Sequence, residues 1–181
     1  MIRVQPFLIA ATAVCAVLTA CQTAPRTAEG KAEIIEDAEA AVDRAETLDS
    51  DFRQTCEDSI AYAVFPKIGK GGVGVGGAYG KGVLYEHGRV VGYCDVSQGS
   101  VGAQLGGQTY TEIICFRDPE ALRKFKDGEF AFDAQASAVA LEAGASKKAR
   151  YREGVAVYTT NEEGLMVDAS IGGQKFTYEP L

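Results

Sequence analysis

Glycine placement constrains this chain more than any other feature. Fourteen of its 21 glycines fall between Gly69 and Gly107, and many recur at every second position. In Gly72-Val73-Gly74-Val75-Gly76 the alternation is strict. Successive side chains on a strand point to opposite faces, so this segment has one valine face and one face of bare backbone. Ser100, Gly102, Gln104, Gly106 and Gln108 share a second such face, opposite Val101, Ala103 and Leu105. A glycine-lined strand face costs stability and marks close backbone approach or sharp sheet curvature. Two accounts follow. One is a curled sheet with a helix packed on the bare face. The other is a slot for an acyl chain, lined by Gly72, Gly74, Gly76, Gly102 and Gly106.

The segments around this stretch also read as strands. Gly71 to Glu86 and Arg89 to Gln98 form a hairpin about Glu86-His87-Gly88, and Ser100 to Arg117 continues the strand pattern. Pro66 is expected to end whatever precedes it. Asp118-Pro119-Glu120 is an N-cap followed by Pro at the first helical position, and Gly128 closes the short helix. Phe130 and Phe132 restart the alternation, Gly154 to Thr160 and Gly164 to Ser170 form another hairpin, and Phe176 and Tyr178 lie in a last strand. No helix of crossover length separates the strands between 71 and 117, which disfavours a parallel βαβ sheet. The expected class is α+β. It consists of a curved, mainly antiparallel sheet or partial barrel, N-terminal helices, and one short helix near 118–127.

The N-terminus has a different character. Residues 1–20 read as a secretory signal, because the apolar run Phe7 to Leu18 is too short to span a bilayer, which needs about 20 residues. Leu18-Thr19-Ala20-Cys21 resembles the lipobox of bacterial lipoproteins. The resemblance implies a mature chain starting at Cys21 with lipid on its thiol and amine. Gln22, in place of Asp, favours the outer membrane by likeness to enteric lipoproteins. Several acyl chains make such an anchor effectively permanent. Residues 21–30 are expected to form a spacer. Residues 31–60 form a helical arm with an apolar stripe at Ile34, Ala38, Val42, Ala45 and Leu48, and a second helix capped by Asp49 or Ser50. The arm is acidic: residues 29–58 hold eleven acids and three bases. Residues 59–181, by contrast, are nearly neutral. An acidic helix is repelled by an anionic bilayer, so it is expected to pack on the body. The overall charge of −7 disfavours a nucleic-acid partner.

Catalytic signatures are weak. A single histidine, His87, excludes multi-His metal sites and relays by count and sits in an expected turn. Gly72, Gly74 and Gly77 satisfy a dinucleotide fingerprint, but a strand follows where a helix is needed. Neither a metal nor a cofactor is expected. Cys56, Cys94 and Cys115 permit one disulfide in an oxidising compartment, and the spacing leaves the pairing open. The basic residues available to lipid headgroups are Lys67, Lys70 and Lys81 beside the glycines, and the run Lys147, Lys148, Arg150, Arg152.

Residues 61–181 resemble the SYLF lipid-binding domain family. The segments that carry the likeness are Ala63-Val64-Phe65-Pro66, Lys70 to Gly77, Gly80 to Leu84, Gly99 to Gln108, Gly154 to Tyr158 and Gly164 to Phe176. The resemblance implies a non-catalytic module that binds membrane phospholipid. Eukaryotic members use a basic N-terminal helix for phosphoinositides. Here that helix is acidic, so neither phosphoinositide specificity nor actin binding is carried over. The expectation is therefore a lipoprotein on the periplasmic face of the outer membrane that binds phospholipid. The alternative is a structural or interaction module that docks an envelope protein.

Overall fold

Thr27 opens the first helix. Its side chain accepts a hydrogen bond from Gly30 N and caps α1 (Ala28–Leu48), which starts inside the stretch expected as spacer. The computed structural model describes residues 23–129, 131–132, 138–140, 154–161 and 174–181. Cys21, the basic run Lys147, Lys148, Arg150 and Arg152, and the strand expected at 164–170 lie outside the described residues. Asp49 leaves helical geometry and caps α2 (Ser50–Glu57) through Asp51 N.

Two long strands follow, β1 (Ala61–Glu86) and β2 (Arg89–Phe116). They are joined by His87-Gly88, both at positive φ (49° and 74°), as a two-residue hairpin loop of the primed type requires. β1 starts ten residues earlier than the sequence indicates. Pro66 does not end an element; it lies in β1 at a register shift between Phe65 and Ile68. An irregularity tolerates a residue with no N–H, and Thr111 Oγ1 donates to the Pro66 carbonyl at 2.8 Å.

Asp118 accepts from Glu120 N and caps α3 (Pro119–Lys126), and Gly128 (φ 71°) follows it, as the sequence indicates. The remaining strands among the described residues are β3 (Ala131–Phe132), β4 (Ala138–Ala140), β5 (Val155–Asn161) and β6 (Gln174–Pro180). β1 covers one edge of β2 throughout. On the other edge, β6 pairs with Gly92–Gln98 and β5 with Tyr110–Phe116, all antiparallel. β3 joins β6, and β4 pairs parallel with β5, a contact not foreseen from sequence. The class is α+β with a curved sheet, as expected.

The sheet curls because β1 turns back on itself. A Cβ on Gly82 would lie 2.5 Å from Val64 O, and one on Gly80 2.7 Å from Ile68 Cγ1 and 2.9 Å from Lys67 O. Alternation then assigns two layers. Inside the curl, Phe65, Leu84, Val96, Ile114, Phe116 and Phe176 meet Phe125 of α3. On the outer face, Ala38, Ala41 and Ala45 of α1 and Phe52 of α2 cover Val64, Val83, Tyr93, Ile113 and Tyr158. Helices therefore cover the valine and tyrosine face. The close approach to the buried glycines comes from strand backbone rather than from a helix.

Candidate lipid-facing groove and a buried polar cluster

The second half of α1 runs beside the irregularity of β1, and the gap forms a groove of about 430 Å³. Asp37, Ala40, Arg44 and Leu48 form its helical wall, and Pro66, Lys67 and Thr109–Thr111 form the sheet wall, with Thr160 of β5. Arg44 and Lys67 are exposed, and neither has an ion pair among the described residues. Apolar Ala40, Leu48 and Pro66 therefore adjoin two cations and a row of hydroxyls. The volume lies in the range of ligand pockets, about 300–1,000 Å³.

The other expected lysines have different surroundings. Lys70 is half-buried and pairs with Gln108 across the hairpin. Lys81 is engaged internally: its Nζ donates to Thr23 O at 2.9 Å and to Asp95 Oδ1 at 3.2 Å. Burial pulls Lys81 down, but its contacts with Tyr79 and Asp95 outweigh this and hold it raised. Burial lifts Asp95 in spite of Lys81. Among the glycines expected to line a slot, Gly72 pairs with Gly106 and Gly76 with Ser100. Gly74 falls at the shift between Val73 and Val75, and Gly102 lies in β2.

Within the curl, sequence reasoning missed a polar cluster. Glu112 is fully buried, and its Oε2 accepts from Gln174 Nε2 at 2.9 Å. Gln98 pairs with Gln174 across the ladder, and Tyr110 OH donates to Gln98 Oε1 at 3.5 Å. Glu112 Oε1, Gln174 Oε1 and Gln98 Nε2 have no hydrogen-bond partner among the described residues. Burial pushes the Glu112 carboxyl up to about 7, against the lowering effect of Gln174. The sequence signal was an acid on the same strand face as Ile114 and Phe116. Arg44 gave no such signal, because it lies among the acids of a helix.

The two buried thiols, Cys94 and Cys115, are held protonated. Cys115 is raised by its hydrogen bond with Cys56, 3.8 Å away, and by burial; Cys94 is raised by burial beside Asp95. His87 is exposed in its turn. Among the described residues there is no cluster of three or more acidic, His or Cys side chains able to hold a metal, and no helix long and apolar enough to cross a membrane.

Residues 97–179, just under half of the chain, match the profile of the family described as Ysc84, Las17-binding protein actin regulator. Over 84 residues the chain is 30% identical to Beta cell expansion factor A of Aeromonas veronii, covering 46% of this chain and 32% of that protein. The match thus spans about a third of the length of that relative. The glycine-rich strands of the curled sheet thus belong to a chain whose C-terminal half is similar to the Ysc84 family and to a bacterial relative.

Proposed function

We propose that this chain is a lipoprotein anchored through Cys21 to the periplasmic face of the outer membrane, and that its domain binds phospholipid headgroups without turning them over. The groove between α1 and the sheet carries this reading, because Arg44 and Lys67 line it beside apolar Ala40, Leu48 and Pro66. The protonated thiols of Cys94 and Cys115 and an exposed lone histidine favour binding over chemistry. The acidic outer surface of α1 is repelled by anionic lipid, so contact falls to the sheet end of the groove.

Vesicle flotation of the unlipidated domain (signal removed, Cys21→Ser) tests this directly. Each basic residue near an anionic surface adds about 1 kcal/mol. Replacing Arg44 and Lys67 by Gln is therefore expected to weaken binding to phosphatidylglycerol vesicles roughly thirtyfold. Failure to bind any vesicle, anionic or zwitterionic, at low and at physiological salt, would leave the protein-docking module as the better reading.

A further inference from the structure

The path of the first described residues fixes how an anchored domain must sit. Thr23 and Ala24 are not free spacer. Lys81 Nζ donates to Thr23 O, Thr23 and Thr177 share a hydroxyl hydrogen bond of 3.1 Å, and Ala24 N donates to Glu179 Oε2 at 3.0 Å. The chain is thus fastened across β1, β2 and β6 at the row Lys81–Asp95–Thr177. Cys21 is two residues away, a reach of at most about 7 Å.

The next row on the same strand face, away from α1, is Tyr79–Ser97–Lys175. All three residues are exposed, and Tyr79, at 45% exposure, is one of two exposed large hydrophobics among the described residues. Beyond it lies the pair Gly77–Gly99, also exposed; a Cβ on Gly99 would meet none of the described residues within 4 Å. Tyrosine and lysine suit the headgroup layer, where a ring and an alkyl stem find apolar contact while their polar tips stay wet. The neighbouring acids are tied up, Asp95 by Lys81 and Glu179 by the Ala24 N–H.

We propose that the strip Tyr79, Ser97 and Lys175, with Gly77 and Gly99, is the surface that lies in the headgroup layer, held there by the two-residue link from Cys21 to Thr23. This rests on the lipoprotein reading. The strip adjoins the glycine-rich middle of the β1–β2 hairpin, as does the Lys67 end of the groove, so both present lipid contacts toward the same part of the sheet.

The test uses the mature lipidated chain reconstituted in phosphatidylethanolamine–phosphatidylglycerol vesicles. A nitroxide is attached at Ser97→Cys, with Cys56→Ser to leave only the buried thiols. The control label is at Lys124→Cys on α3, which packs through Phe125 on Phe116 and Phe176, on the sheet face opposite to Lys175. The expected result is that the label at 97 loses collisions with an aqueous nickel chelate and gains them with dissolved oxygen, while the label at 124 does neither. If Ser97→Cys does not fold, Lys175→Cys reads the same strip. Acylated protein with label 97 as accessible as label 124 overturns the proposed orientation and leaves the lipoprotein reading intact. A mass spectrum without acyl chains on Cys21 overturns both.

Discussion

Glu112→Gln is the sharpest probe of the buried cluster. The carboxyl is fully buried in β2, opposite Phe65 on one side and Thr159 on the other, and Gln174 is its hydrogen-bond partner. Burial raises it from 4.5 to about 7. The folded state therefore holds this proton over an interval in which the unfolded chain has released it. Stability is full below pH 4.5, falls as pH rises, and stays reduced above pH 7. The interval, at ~1.4 kcal/mol per pH unit, amounts to about 3 kcal/mol. Asp95 is also raised and contributes a slope of the same sign, so the quantity to read is the difference between the two proteins. Urea unfolding followed by far-UV circular dichroism at half-unit steps from pH 4.5 to 8 supplies it. The variant should lack this component of the slope and should exceed the parent at pH 8 by up to about 3 kcal/mol. Equal slopes in the two proteins would show that Glu112 is ionised in the fold, and would refute the burial reasoning.

The curl makes a paired prediction: Gly82→Ala, whose Cβ would meet Val64 O at 2.5 Å and Phe65 Cδ1 at 2.6 Å, should cost about 1–3 kcal/mol, whereas Gly99→Ala, with open space, should stay within about 0.5 kcal/mol. Urea midpoints compare them directly, and equal costs would remove the backbone contact as the reason for glycine at 82. Cys56 and Cys115, with sulfurs 3.8 Å apart, should close on treatment with oxidised glutathione, which takes up their two electrons and two protons, while Cys94 stays a thiol. Peptide mapping reads the pairing. The 59-residue separation predicts about 4 kcal/mol of added stability on the loop-entropy account.

Local chemistry explains what could be read in advance. Asp118-Pro119-Glu120 and Gly128 bound α3 through caps that involve only their neighbours, and His87-Gly88 sets the hairpin in the same way. Pro66 misled because a proline's effect on a strand depends on its partner across the ladder: at a register shift its missing N–H costs little. The start of β1 at Ala61 and the β4–β5 pair are likewise decided by distant strands. Lys81 read as a surface cation, yet its partners are Thr23 and Asp95, 58 and 14 residues away. Alternation showed a glycine face, but not which glycines would meet backbone.

That division of the glycines bears on function. Gly80, Gly82 and Gly92 are buried, and a Cβ on any of them would run into Lys67 O, Val64 O or Glu179 O respectively. Their lack of a side chain is accounted for by closure of the sheet alone. Gly99 is exposed, with no described residue near its missing side chain, so packing among the described residues gives no reason for glycine there. A bare exposed strand also sacrifices stability, because glycine orders at greater entropic cost than other residues. On the lipid reading, Gly99 beside the Tyr79 row is the glycine whose replacement tests it. If Gly99→Ala left both the stability and the vesicle affinity of the domain unchanged, the bare strip would have neither a structural nor a lipid-binding reason. Membrane contact would then have to be assigned to the cations of the groove.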